Sequence, residues 1–277
     1  IPAYAGIQIR IGRMRGIPYR CGNRAFPRVV VCEPTLPVST PVAGGAWLHL
    51  GSRRIELAVD LSGCGLRFIA DQGDFVEIGA MATARDLETS EILRTYFGPL
   101  FRHAVEHIVG VQLRNLITLG GTVAGKYGFS DLITALLALD ARVVMFGSEA
   151  VELSAFLASV RDAPFLLEKV IVRKNVQSAF ASLRVAHNDF AVLNACAAFR
   201  EGGWRVAVGA RPAAARLSLD AAVALGRIPR PDDAVARLAG NAAAEELGFG
   251  DDTRGSSEYR KSLCPVLVRR AILEAGR

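Results

Sequence analysis

Residues Asn115 to Asp140, reading NLITLGGTVAGKYGFSDLITALLALD, constrain this chain more than any other stretch. A short apolar run closes in Thr118-Leu119-Gly120-Gly121-Thr122, and a Gly-punctuated loop follows. Ser130-Asp131 then opens an apolar segment that reads as a helix from Leu132 to Leu139. Paired glycines let backbone approach a ligand closely, because no Cβ intervenes and unusual backbone angles cost little. Thr118, Thr122 and Ser130 offer hydroxyls, and successive N–H groups here can form an anion-binding nest. Such a segment suits a pyrophosphate or a similarly charged cofactor. The plainer reading is a tight turn before a helix capped by Ser130 or Asp131.

The surrounding pattern is mixed α and β. Arg28 to Cys32, Ile55 to Asp60, Leu66 to Ala70 and Phe75 to Ile78 read as strands, the last after a turn at Gln72-Gly73-Asp74. Thr83 reads as the N-cap of a helix through Glu88, with Asp86 in its first turn. Phe97 to Val109 carries apolar residues at helical spacing, which puts His103 and His107 on one face. With no third ligand evident, that pair is read as a surface or subunit contact rather than a metal site. Arg142 to Phe146 and Lys169 to Val172 read as strands around a short helix from Leu153 to Ser159. The composition shifts near Val176. Ser178 to Leu183, Phe190 to Arg200 and Trp204 to Ala210 form an expected antiparallel set, with Glu201-Gly202-Gly203 as a hairpin turn. Ala-rich helices follow at Leu219 to Leu225, Asp232 to Glu246 and Glu258 to Ala275. Strands followed by helices predict an α+β C-terminal domain over 176–277, after a first domain over 1–175.

Four landmarks in order carry a family resemblance. Val109-Gly110-Val111-Gln112-Leu113-Arg114-Asn115, with Thr118 to Thr122 and Ser130-Asp131, resembles the second FAD-binding loop of the molybdenum hydroxylase flavoproteins. These are the FAD (medium) subunits or domains of the xanthine dehydrogenase and carbon monoxide dehydrogenase family. Val42-Ala43-Gly44-Gly45-Ala46-Trp47-Leu48 stands where that family carries its first FAD loop. Ile78-Gly79-Ala80-Met81-Ala82-Thr83 resembles its "IGA" strand end, and Asp251 to Arg260 its closing D-x-R-x-S-x-x-YR signature. Arg184 and Asp189 match a further landmark and are read as a buried ion pair. The chain departs from the family at Ala46-Trp47-Leu48, at Thr122 and in the bulky Lys126-Tyr127-Gly128-Phe129 segment. Its first forty residues, rich in Arg, Gly and Pro, do not resemble the family's helix-bearing start.

The resemblance implies an FAD-binding type 2 fold of the vanillyl-alcohol-oxidase (PCMH) kind. Two α/β subdomains bind FAD and a smaller α+β domain follows, like the C-terminal domain of the carbon monoxide dehydrogenase flavoprotein. It assigns FAD contacts to Val42, Ala43, Gly44, Gly45, Ala46, Trp47 and Leu48, and to Thr118, Gly120, Gly121, Thr122, Ser130 and Asp131, the last toward a sugar hydroxyl or backbone group. It implies electron flow from a molybdenum-cofactor subunit through an iron–sulfur subunit to this FAD, and then to NAD+ or another acceptor. Asp251, Asp252, Arg254, Tyr259 and Arg260 are expected to staple the last helix. No catalytic acid, base or nucleophile is required of the chain itself, because flavin carries the electrons. Two other readings stay open, a scaffold subunit that has lost FAD and a free-standing FAD oxidoreductase.

Composition narrows the classes. The 277 residues are 51% hydrophobic, enough for a large core or several subdomains. Cys21, Cys32, Cys64, Cys196 and Cys264 are scattered without metal or iron–sulfur spacing and are read as reduced thiols. The net charge of +6 is concentrated in Arg10, Arg13, Arg15, Arg20, Arg24 and Arg28. With no interleaved aromatic motif, this basic start is read as a solvated tail or a partner contact, not a nucleic-acid site. No apolar run reaches spanning length, and the start lacks a secretory pattern, so a cytoplasmic protein is expected.

Overall fold

The computed structural model describes residues 39–46, 57–160 and 165–277, together with the backbone at 20–21 and 24–25. The expected strand Arg28 to Cys32, Trp47 and Leu48 lie outside the described residues.

Two small pairings come first. β1 (Arg20–Cys21) and β2 (Arg24–Ala25) pair antiparallel, and β3 (Ser39–Val42) and β4 (Leu57–Asp60) pair parallel. A five-stranded antiparallel sheet follows, built from β5 (Ile69–Gln72), β6 (Phe75–Gly79), β7 (Arg142–Met145), β8 (Ala150–Glu152) and β9 (Leu167–Arg173), in spatial order β5-β6-β9-β7-β8. Between β6 and β7 run α1 (Ala84–Thr89), α2 (Glu91–Phe97), α3 (Leu100–His103), α4 (Gly110–Arg114), α5 (Leu119–Gly125) and α6 (Asp131–Ala138), and α7 (Leu153–Ala158) follows β8. The C-terminal part has four antiparallel strands in sequence order, β10 (Gln177–Arg184), β11 (Ala191–Arg200), β12 (Gly203–Gly209) and β13 (Arg216–Ser218). Three helices close it, α8 (Leu219–Leu225), α9 (Asp233–Glu246) and α10 (Ser257–Ala275). No helix among the described residues is long and apolar enough to cross a membrane.

Strand periodicity joins two cores. Every residue from Ala191 to Ala198 in β11 is buried, since α6 packs on one face and α10 on the other. Successive side chains point to opposite faces. Accordingly Cys196 and Ala198 enter the core shared with α6, while Leu193, Ala195 and Ala197 enter the core shared with α10. The small side chains facing α6 let that helix approach. Residues Leu132 through Ala138 are all buried, which is why α6 is apolar all round rather than striped.

Local signals account for most helix starts. Thr83 accepts a hydrogen bond from Asp86 N (3.1 Å), and Asp86 Oδ2 accepts from Thr83 N (2.9 Å), a reciprocal capping box. Arg67 donates two further bonds of 2.8 Å to the same carboxylate. Replacing Thr83 by Ala is expected to cost about 1 kcal/mol, read as a lower urea midpoint at unchanged m. An unchanged midpoint would mean that the cap contributes nothing beyond the tertiary packing of α1.

The expected helix from Phe97 to Val109 does not form. Gly98, at φ +58°, ends α2, and Pro99 stands at the N-cap of α3, which stops at His103. His107 therefore lies in the turn that follows, not in the helix that carries His103. The apolar spacing reflects two separate elements on one core rather than one continuous helix.

Candidate functional site

Two segments meet just past the C-terminal end of β6, and a third reaches them at Leu116. The bridge between Thr83 and Thr118, and bonds of 2.8 Å from Ala84 N to Ile117 O, Leu119 N to Ala82 O and Gly120 N to Ala80 O, lace 80–84 to 117–120. Gly120 packs directly on Ala80, where a Cβ would come within 2.7 Å of the Ala80 Cβ. The third segment is Val42 to Ala46, following β3. A Cβ on Gly44 would fall 1.5 Å from the carbonyl oxygen of Leu116, so the two glycine-bearing segments are in backbone contact. Gly45 turns the chain at φ +66°, a value that suits glycine.

The second segment is not the open loop expected from its glycines. Leu119–Gly125 is a helix, with Thr118 Oγ1 accepting from Gly121 N at 3.1 Å. The N–H groups of Leu119, Gly120, Gly121 and Thr122 all bond within the protein, which removes the expected nest of free donors. What this segment presents is the exposed Gly121 and the half-buried Thr122. The Thr122 hydroxyl also donates to Thr118 O at 3.0 Å.

Ser130 is the N-cap of α6, accepting from Ile133 N at 3.2 Å, and Asp131 follows inside the first turn. Asp131 lines a cavity, and each of its carboxylate oxygens also accepts a bond from protein. Oδ2 accepts from Arg184 Nη2 and Oδ1 from Asn194 Nδ2 at 2.5 Å. The Arg184 and Asp131 side chains are only 8% and 11% exposed. Burial pushes the Asp131 carboxyl up, and the Arg184 guanidinium and the Asn194 amide pull it back. Arg184 therefore pairs with Asp131 and not, as expected, with Asp189, whose carboxylate lies 3.4 Å from Arg254 Nε; only the backbone carbonyl of Asp189 takes an Arg184 bond, at 2.9 Å. This pair ties the start of α6 to the end of β10.

Around the pair opens a cavity of about 320 Å³. Ile108, Leu113 and Leu119 line one side, and Tyr127, Phe129 and Phe190 another. Tyr127 and Phe129 stack with ring centroids 5.2 Å apart, Phe129 meets Phe190 at 4.4 Å, and the Arg254 guanidinium lies 4.9 Å from the Phe190 ring. Gly125 permits this packing, since a Cβ there would lie 2.3 Å from the Tyr127 ring. Lys126, at φ +49°, donates to Phe156 O at 2.7 Å and Ser159 O at 2.6 Å, which caps the end of α7. Apolar walls with a few convergent polar groups are what a planar, partly polar ring requires. The residues present fit a nucleotide cofactor that ends in such a ring.

Ile108, His107, Phe190, Asn194 and Arg254 were not among the expected ligand contacts. Arg254 stands in the closing signature but was expected only to staple the last helix, and His107 was expected to be a surface or subunit contact; Ile108, Phe190 and Asn194 carry no motif signal.

Two family models match the chain, "FAD binding domain in molybdopterin dehydrogenase" over residues 35–174 and "CO dehydrogenase flavoprotein C-terminal domain" over residues 178–275. The chain is 26% identical to the nicotine 6-hydroxylase medium subunit of Paenarthrobacter nicotinovorans, over 80% of this chain and 82% of that one. It is 24% identical to the carbon monoxide dehydrogenase medium chain of Hydrogenophaga pseudoflava, over 75% of this chain and 77% of that one. Among solved structures, carbon monoxide dehydrogenase from Hydrogenophaga pseudoflava superposes with a TM-score of 0.79 at 24% identity, covering 86% of this chain and 90% of that one. Quinoline 2-oxidoreductase from Pseudomonas putida 86 gives 0.77 at 24% identity, with 87% and 90% covered. These structural matches speak to the fold.

Proposed function

From the premise that this chain belongs to the FAD-binding medium-subunit family of the molybdenum hydroxylases, we propose that it is the electron-transfer subunit of such a complex. Partner subunits carry the molybdenum cofactor and the iron–sulfur clusters, NAD+ is the candidate acceptor, and the assembly is cytoplasmic. Bound FAD supplies the redox chemistry, taking up electrons and passing them on.

The chain's own residues bind and orient. Val42, Ala43, Gly44, Gly45 and Ala46, with Trp47 and Leu48, form the first cofactor segment, and Thr118, Gly120, Gly121 and Thr122 form the second. Gly44 brings the two into contact at Leu116. Ser130 and Asp131 hold the far side, where the Asp131–Arg184 pair fixes the cavity wall. Ile108 and Leu119, facing Tyr127 and Phe190, exclude water from that cavity. The observation that carries this reading is that the first glycine segment touches Leu116 just before α5, while Thr118, Leu119 and Thr122 at the start of α5 line the aromatic-walled cavity.

The test is an absorption spectrum of the purified chain with identification of the released cofactor. Stoichiometric FAD that bleaches on reduction is the expected result. A colourless chain that also fails to take up added FAD would sink the proposal. The scaffold reading would then replace it, and one observation favours that alternative: the donors from Leu119 to Thr122 are all bonded within the protein.

A further inference from the structure

Two ion pairs leave the cavity electrically balanced. Its ionisable lining groups are His107, Tyr127, Asp131, Arg184, Asp189 and Arg254. Arg184 is paired with Asp131, and Arg254 Nε lies 3.4 Å from Asp189 Oδ1. Burial pushes the Tyr127 phenol up, away from neutrality. Of these six groups, His107 is the one whose ordinary titration lies near neutral pH.

Its setting is specific. His107 Nδ1 lies 3.1 Å from the backbone carbonyl of His187, and the two rings meet edge-on with centroids 4.7 Å apart. A carbonyl can only accept, so Nδ1 carries the proton and Nε2 of the neutral ring bears the lone pair. Burial, then the Arg184 guanidinium, hold His107 below the usual imidazole range; the His187 ring adds to them, while Glu106 and the His187 carbonyl oppose them. Glu106 is itself engaged by Arg102 at 3.1 Å. Among the charged groups facing it from the turn after α3, the β10–β11 connection and the start of α6, no unpaired anion holds a proton on the ring.

We propose that His107 is a charge-compensating residue: it stays neutral while the cavity is uncharged, and it takes a proton onto Nε2 when negative charge builds on a flavin reduced there. The inference rests on the FAD reading above. In the coupled step two electrons, from the partner iron–sulfur clusters or from an electrode, end on the flavin, and one proton from solvent, beyond those the flavin itself binds, ends on Nε2. The low dielectric of a partly buried cavity makes one such charge count.

The test is a spectroelectrochemical titration of the FAD-loaded full chain across the range in which imidazole titrates. Over the coupled interval, lowering the pH should favour reduction by an extra tenfold in equilibrium constant per pH unit, about 30 mV for a two-electron couple. His107→Asn should lose that increment. His103→Gln, altering an exposed residue that does not line the cavity, should keep it. On the unmodified protein, the His107 imidazole resonances should report a higher apparent pKa with flavin reduced than with flavin oxidised. Superimposable potential–pH curves for wild type and His107→Asn, an equal loss in His103→Gln, or a His107 pKa indifferent to redox state would each overturn the proposal alone. A chain that takes up no FAD would overturn the functional reading and this inference together.

Discussion

Gly44→Val should yield a folded protein that has lost its FAD. A Cβ at this position would stand 1.5 Å from the Leu116 carbonyl oxygen and 2.5 Å from its carbon. Backbone cannot yield as the tip of a flexible side chain can, so the first glycine segment must lift away from the second. Gly44 lies outside both hydrophobic cores, which leaves the fold without a reason to fail. The expected loss of FAD affinity is at least about a hundredfold, or roughly 2.7 kcal/mol. Gly63→Ala provides the contrast, because its new Cβ would meet nothing within 4 Å and Gly63 lies outside both cofactor segments. The measurement is flavin content and FAD titration, with far-ultraviolet circular dichroism as the check on folding. Unaltered FAD binding by a folded Gly44→Val protein would remove the first segment from the site.

Arg260→Ala should destabilise the C-terminal core by about 3–5 kcal/mol, the range for stripping one partner from a buried charged network. Arg260 is completely buried. Its guanidinium donates to Val192 O at 2.8 Å and Gly250 O at 2.7 Å, and also to Gly255 O and the Asp252 carboxylate. It thereby ties α10 to β11 and to the turn that precedes the helix. Truncation strands three carbonyls and a carboxylate together, though the partial exposure of Asp252 lets water recover some of the loss. Lys at this position should restore less than half, since a single ammonium cannot reproduce the planar fork. Fluorescence of Trp204, buried in the same core, follows the unfolding in a Trp47→Phe background. A shift equivalent to less than about 1 kcal/mol would contradict the assignment of Arg260 as the main tie.

The same network sets a pH dependence. Burial raises the Asp252 carboxyl, but the Arg260 and Arg254 guanidiniums and the Arg254 N–H outweigh it and hold the group below its ordinary value. A depressed folded-state pKa stabilises above the unfolded value and is lost as pH falls through the folded one. The deficit of Arg260→Ala should therefore be full near neutrality and should narrow below the ordinary carboxylate pKa of about 3.9.

Elements whose start or end is written into adjacent residues were legible. Thr83 with Asp86, Ser130 before α6, the Glu201-Gly202-Gly203 turn and the helix Leu219–Leu225 follow from capping, turn chemistry and apolar spacing over a few residues. The Phe97 to Val109 stretch misled because apolar spacing continued across Gly98-Pro99, whose punctuation carried the correct information. The paired glycines Gly120-Gly121 read as a loop, yet they begin a helix because Ala80 and Ala82, far back in the chain, supply acceptors for its first N–H groups.

By itself, the sequence determined the three helices and three of the four strands of the C-terminal part, where α6 would start, and which family the glycine landmarks belong to. These rest on short-range sterics, hydrogen-bond capping and periodicity, all complete within a few residues. Tertiary structure alone decided that Asp131 would meet Arg184 across 53 positions, and that Gly44 would touch Leu116. It also decided that His107 would line the cavity with His187. Each of those outcomes depends on two distant segments being packed against a common core, and no local preference of either segment encodes the other's position.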